Sequence, residues 1–217
     1  MGDRWRAWRM RRIAAADRRR LIRLASRYAG LEVDPGASPA LSTASLHLYP
    51  RARVRIASGV VTERRLDGLR VAVRDEGELL IGENSWLRSD LAPVLLYVYE
   101  GARLEIGRDA FLNGCMISAK LGVTLGRGVW IGPGARIWDA DQHDLDSETP
   151  ERREPVEIGD HVWLGSDVTV LRGVHIGAHS VVGARSLVTS DIPPHSLAFG
   201  SPARVRGRVG DRSAVPI

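Results

Sequence analysis

The sequence predicts a mainly β protein: a parallel β-helix built on a six-residue repeat, with an N-terminal α-helical segment and one loop ejected from the coil wall. Three observations carry this expectation. Aliphatic residues recur every six positions through Ile158, Leu164, Val170, Ile176, Val182 and Val188. Glycine follows four of the six, as Gly159, Gly165, Gly177 and Gly183. The pattern is broken by one polar stretch between Ile137 and Ile158, a separation of 21 residues that no multiple of six accommodates.

A period of six has a direct physical meaning. Side chains alternate faces along a strand, so positions two apart point the same way, here into a core. Val162, Val168, Val174, Ser180 and Ser186, two places before each later repeat residue, are all β-branched or small. Glycine after the aliphatic residue marks a corner, expected to need backbone conformations barred to other residues. Three strand-and-corner units close a triangular coil of 18 residues. Ile158 then stacks on Ile176, and successive coils lie about 4.8 Å apart with parallel ladder bonds between them.

The elements follow in order. Residues 1–30 are Arg-rich and read as an amphipathic helix, with Leu21, Leu24 and Tyr28 on one side and Trp5 and Trp8 upstream. Such a helix caps the end of the β-helix or packs on a neighbour; the alternative is contact with an anionic membrane surface. Residues 31–208 form the β-helix domain. Its first part shows only scattered apolar alternation, and the repeat emerges at Ile81-Gly82, Ile106-Gly107, Leu125-Gly126 and Ile131-Gly132. A phase shift of one between Asn113 and Ala119 suggests a bulge. The loop spans residues 139–157, and residues 209–217 carry no pattern and are expected to form a flexible tail.

Composition narrows the function classes. Of 217 residues, 44% are hydrophobic but only 6% aromatic, which suits thin β layers more than a large aromatic core. Cys115 is the single cysteine, so no intrachain disulfide forms. The net charge is +5, and Lys120 is the only lysine. A basic balance attracts any anion, but neither zinc-finger spacing nor an RNA-binding aromatic signature accompanies it, so nucleic acid is not expected as a partner. With no run near 18 apolar residues and no secretory leader pattern, a cytoplasmic location is expected, with peripheral attachment at the inner membrane surface through residues 1–30 as an option.

The chemistry is sought in the loop. It opens Asp139-Ala140-Asp141-Gln142-His143-Asp144, and a histidine between carboxylates can be held in one tautomer as a general base. The same histidine could equally be a solvated loop residue. His161, His175 and His179 fall at outward or corner positions without ligand spacing, so no metal is expected. Cys115 has no nearby histidine in sequence and reads as a buried thiol.

Four stretches carry a resemblance that periodicity alone does not: Ile131-Gly-Pro-Gly-Ala-Arg-Ile-Trp-Asp-Ala-Asp-Gln-His143, Pro155-Val-Glu-Ile-Gly-Asp-His-Val-Trp-Leu-Gly-Ser166, Val182-Gly-Ala-Arg-Ser-Leu-Val-Thr-Ser-Asp-Ile-Pro-Pro194 and Gly200-Ser-Pro-Ala-Arg204. Together they resemble the hexapeptide-repeat, left-handed β-helix acyltransferases, among them the galactoside and maltose O-acetyltransferases, the xenobiotic acetyltransferases and the acyltransferases of polysaccharide pathways. The resemblance covers residues 103–206 firmly. It implies that His143 is the general base that deprotonates the acceptor hydroxyl, with direct transfer from the thioester of acetyl-CoA and no acyl-enzyme. Asn113 and Asp141 are assigned to the acceptor side. Trp163 and Ser166 match positions along the pantetheine arm, Ala184 one whose backbone N–H faces the cofactor, and Thr189 and Arg204 positions near the nucleotide end. Ser190 stands where relatives carry a basic residue and Arg185 where they carry glycine, which shifts the expected phosphate contacts to Arg185, Arg206 and Arg208. The family's usual state is a homotrimer with sites between prisms.

The function expected from all this is a CoA-dependent O-acyltransferase, most simply an acetyltransferase, acting on a hydroxyl of a sugar, glycoconjugate or similar acceptor. A longer acyl chain, or acyl carrier protein as donor, is compatible with the same residues. The alternative is a non-catalytic β-helix scaffold or partner-binding module, and a metalloenzyme on the same coil is a third reading.

Overall fold

Two or three residues between corners are too few to make an independent strand, so these segments gain order only by stacking on the coil above and below. The computed structural model describes residues 2–215; the ends of the expected N-terminal segment and tail, Met1 and residues 216–217, lie outside the described residues. Its body is a three-sided prism of parallel strands. The first face stacks Leu31–Val33, Arg53–Ile56, Glu78–Ile81, Arg103–Ile106, Gly122–Leu125, Val156–Ile158 and His175–Ile176. The second stacks Ser45–Leu48, Leu69–Val73, Val94–Val98, Met116–Ala119, Arg136–Trp138, Thr169–Val170 and Leu187–Val188. The third runs from Val61–Thr62 through Trp86–Arg88, Phe111–Asn113, Trp130–Ile131, Trp163–Leu164 and Val181–Val182 to Ser196–Gly200, where Ala203–Arg208 adds one antiparallel strand.

The aliphatic column is the core. Leu79, Leu104, Ile117, Ile137, Leu164, Val170 and Ile176 have no exposed surface. Ser180 and Ser186 occupy inward positions and are satisfied there. Ser180 Oγ donates to Pro193 O (2.9 Å) and accepts from Ser196 N (3.1 Å), while Ser186 Oγ donates to Gly183 O (2.7 Å). Two small polar residues therefore tie the last coil to the segment that follows it.

The glycines act differently from the sequence expectation. Those following the aliphatic residue are absent from the left-handed region; that conformation falls two places later, at Asn84, Asp109, Gly128, His161, Asp167, His179, Arg185 and others. What excludes a side chain is the next coil. A Cβ on Gly132 would lie 2.8 Å from the Gly165 carbonyl carbon and Ser166 N, and one on Gly165 would lie 2.8 Å from Ala184 N. Coils 4.8 Å apart leave no room for it at the corner.

Register explains what the six-residue period could not show. Val54 pairs with Leu79 and Leu79 with Leu104, 25 residues each, because the first- and second-face strands there run four or five residues and the corners leading into the second face are longer. Leu104 pairs with Val123, 19 on, and the spacing becomes 18 at the Ile158–Ile176 pair, as in Trp163–Val181 and Thr169–Leu187. No bulge occurs at Asn113–Ala119. The corner from Leu112 to Ile117 is one residue short of six and the next, from Ile117 to Leu125, two residues long.

Gly2–Ala25 is helical, and only its second half docks. Leu21 is buried, Leu24, Ala25 and Tyr28 pack on the core, and Tyr28 Oη donates to Leu46 O (3.0 Å). Buried Asp17 pairs with Arg64 at 2.7 Å. The half bearing Trp5, Trp8 and Met10 is exposed. At the other end the tail, expected to be flexible, lies along the edge between the first and third faces through Val215.

Candidate active site

The loop leaves the wall after Trp138 and re-enters at Val156, which pairs with Val123, so Val156 and Glu157 belong to a first-face strand and not to the loop. Its neck is held by buried charge. Asp139, fully buried, accepts Lys120 N at 2.8 Å through one oxygen and Leu121 N and Gly122 N at 2.7 Å through the other. Burial pushes its pKa up, against three N–H donors that favour the carboxylate. Lys120 reaches across, donating to Gln142 O (2.9 Å) and pairing with Glu151 (2.6 Å), with both side chains about a tenth exposed. Its ammonium lies 4.9 Å from the centre of the Tyr99 ring. From the following coil, Arg172 bonds Asp141 at 2.6 Å and Glu154 at 2.5 Å. Ala140 and Arg153 form an antiparallel bridge across the neck.

His143 sits beyond this neck and is exposed. The carboxylates beside it do not bind it. Asp141 takes Arg172 and, at 3.3 Å, Arg152 N, while Asp144 accepts Glu151 N at 2.7 Å. Asp141, expected to face the acceptor, therefore has both oxygens engaged in the loop base. The exposed imidazole makes no hydrogen bond or ion pair among the described residues.

The other expected residues fall into two groups. Asn113 lies at the corner between the third and second faces, buried, with Oδ1 unpartnered among the described residues. The same edge continues through backbone bonds from Gly134 N to Gly114 O, Asp167 N to Pro133 O and Arg185 N to Ser166 O, each 2.8 or 2.9 Å. Ser166, Ala184 and Arg185 thus share one edge with Asn113, and Trp163 and Arg204 lie on the adjoining third face. His143, Asp141 and Thr189 belong to the opposite edge of the second face. Within one chain the two groups are separated by the width of that face. Cys115 is buried and its thiol is pushed up to about 12 by burial, which leaves it no thiolate near neutral pH. Among the described residues no cluster of metal-ligating side chains exists.

Sequence reasoning missed Lys120, Glu151 and Arg172. The only signal was that Lys120 is the one lysine in a chain otherwise reliant on arginine.

Comparison with known proteins agrees with the repeat. Residues 155–190 match the family model described as bacterial transferase hexapeptide (six repeats). Galactoside O-acetyltransferase of Escherichia coli K12 is 37% identical over 137 residues, covering 61% of this chain and 64% of the relative. Nodulation protein L of Rhizobium meliloti is 46% identical over 115 residues, covering 49% and 61%. The chain thus spans somewhat over three-fifths of the length of these relatives. Among solved structures, the polySia-specific acetyltransferase NeuO matches with a TM-score of 0.68 at 22% identity, covering 85% of this chain and 84% of that one, a likeness of fold. Residues 155–190 thus match a hexapeptide-repeat transferase model, and the coil carries the same stacked arrangement on either side of them.

Proposed function

We propose that the protein is an acetyl-CoA-dependent O-acetyltransferase acting on a hydroxyl of a sugar or glycoconjugate. The observation that carries the reading is the loop. A single excursion in the coil wall, clamped at its neck by Asp139, Lys120 and Arg172, presents one free imidazole in a chain that is 37% identical over 137 residues to a galactoside O-acetyltransferase. A scaffold has no use for a buried ionic clasp that fixes an exposed histidine.

In this reading His143 takes the proton of the acceptor hydroxyl as its oxygen attacks the thioester carbonyl. The tetrahedral intermediate collapses with loss of the CoA thiolate, which takes the proton back from the imidazolium. The donor runs along the edge of Ser166 and Ala184, beside Trp163, with Arg185 and Arg204 toward its phosphates and Thr189 reaching it from the loop edge of a second copy. Buried Asn113, with its free Oδ1, faces the acceptor. Asp141 acts as a positioning residue through Arg172. Much of the acceleration comes from holding the two substrates in line on rigid walls.

The separation of the two groups supports a homotrimer. The second face turns Leu95, Met116 and Leu187 outward, each half-buried already in the single chain. Packing second faces about a threefold axis covers them and sets the loop edge of one chain against the Ser166 edge of the next. Sedimentation is expected to give three times 23.8 kDa, and a monomer at micromolar concentration would contradict the shared site. The exposed helix half, with Trp5, Trp8 and its arginines, supports peripheral contact with anionic lipid at the inner surface of the membrane, in the cytoplasm where acyl-CoA is made. Flotation with phosphatidylglycerol vesicles, lost on removal of residues 2–16, checks this. The activity itself is tested by thiol release from acetyl-CoA against a panel of sugar acceptors.

A further inference from the structure

The edge between the first and third faces carries a row of side chains unrelated to the loop. One residue per coil there has a left-handed backbone, and in three successive coils it is histidine: His161 (φ 56°), His179 (φ 62°) and His195 (φ 58°). Their rings stack at 5.2 and 4.8 Å between centroids, within 16° and 10° of parallel. In the coil before His161 the position is Gly128 (φ 62°), and before that Asp109 (φ 58°). Gly128 interrupts the row, since a Cβ there would lie 2.7 Å from His161 Nδ1. The edge therefore has a notch where one side chain is missing.

The C-terminal segment closes over this notch. Arg212 N donates to His179 Nδ1 and Arg212 Nε to His161 O, both at 3.1 Å. Its guanidinium lies 5.0 Å from the Trp130 ring centre and 5.5 Å from that of Trp163. The result is a cleft of about 580 Å³, lined chiefly by Arg108, Arg127, Trp130, His161, Arg212 and Ser213. Three arginines line it against one lining carboxylate, Asp109, which lies 3.7 Å from Arg108. Arg127 and Arg212 have no ion pair among the described residues. Asp160 and Asp211 flank the cleft without lining it, Asp160 accepting Arg127 N at 2.8 Å and Asp211 lying 3.4 Å from His179. His161 Nε2 is buried and without a partner among the described residues. A buried, unpaired imidazole nitrogen beside unpaired guanidinium groups is costly unless something in the cleft meets both.

We propose that this cleft binds a phosphate group, free or carried on a small ester, through Arg127, Arg212 and His161 Nε2. Guanidinium groups bind phosphate oxygens in bidentate fashion, and the imidazole nitrogen completes the shell as donor or acceptor. The site lies on the one edge of the prism that carries neither His143 nor Ser166. In the trimer with second faces inward, it points away from the axis. Because the chain's own C-terminal segment supplies Arg212 and Ser213, binding also pins that segment to the histidine row.

Calorimetric titration of the full chain with pyrophosphate, at ionic strength fixed by sodium chloride, tests the proposal. Inorganic phosphate and CoA in parallel arms distinguish a general phosphate site from one for the acyl donor. Saturable binding of one pyrophosphate per chain is expected. It should weaken tenfold or more in Arg127→Gln, whose side chain is exposed and makes no hydrogen bond or ion pair among the described residues, and likewise in Arg212→Gln. His143→Ala should bind as the parent does, so failure here is separable from failure of the acetyltransferase reading. Heat that does not saturate, or binding unchanged in Arg127→Gln, overturns the site.

Discussion

His143 differs from a histidine held by a carboxylate, because each neighbouring acid is spent on the loop. Asp141 and Glu151 carry the pH dependence of that arrangement. The hydrogen bond from Arg172 holds Asp141 below the usual carboxylate range. Burial pushes Glu151 up, but Lys120 and Arg153 outweigh it and leave it lowered. Folded-state values below the free ones mean that both contacts stabilise the loop at pH above about 4 and are lost as pH falls below it. Amide exchange over residues 140–154, corrected for intrinsic rate, is expected to quicken below that pH while the coil strands stay protected. At Gly132 the expected change is steric. Gly132→Ala places a methyl 2.8 Å from backbone of the next coil and should cost about 1–3 kcal/mol of stability, read as an earlier denaturation midpoint. The sequence marked these glycines correctly as corner residues but for the wrong reason, since a one-letter pattern cannot separate a conformational need from a backbone passing close by. The left-handed corners are shared between other glycines, such as Gly128 and Gly134, and non-glycine residues, chiefly histidine and aspartate, that tolerate this region or are fixed in it by neighbours. The histidine row was invisible for that reason.

At the scale of elements, the loop depends on its neck. Lys120→Met leaves Glu151 without its ammonium partner and Gln142 O without a donor, at a cost of about 1–3 kcal/mol. The loop should then open to trypsin at Arg152 and Arg153 faster than in the parent, with the coil intact; equal cleavage rates would remove Lys120 from the account. The loop was legible because the repeat stops and resumes around it. Its clasp was not, because Lys120, Asp139 and Arg172 come from three coils and meet only after stacking. Coil length decided what else could be read. From Ile158 onward, 18-residue coils print the six-residue period plainly, while the 25-residue coils before Leu104 bury an equally regular column of Val54, Leu79 and Leu104 without a fixed short period. The docking half of the helix was visible in Leu21, Leu24 and Tyr28, whose spacing matches the face it buries.

At the scale of the molecule, stability is distributed along a column in which each coil rests on its neighbours. Ile137→Ala, at a fully buried position one residue before Trp138 and the loop, should cost about 2–5 kcal/mol, and denaturant unfolding checks it. The same column sets the spacing of everything outside it: the loop on one edge, Asn113 and Ser166 on the second, the arginine-lined cleft on the third. In the proposed mechanism, the division of the candidate site between two edges is what calls for a second copy of the chain. The central claim is that His143 is the base in acyl transfer, and thiol release from acetyl-CoA with a sugar acceptor measures it most directly. His143→Ala is expected to fold and melt as the parent does, because the side chain is exposed, while kcat falls by about 10²–10⁴-fold. Turnover unchanged in that variant would contradict the mechanism.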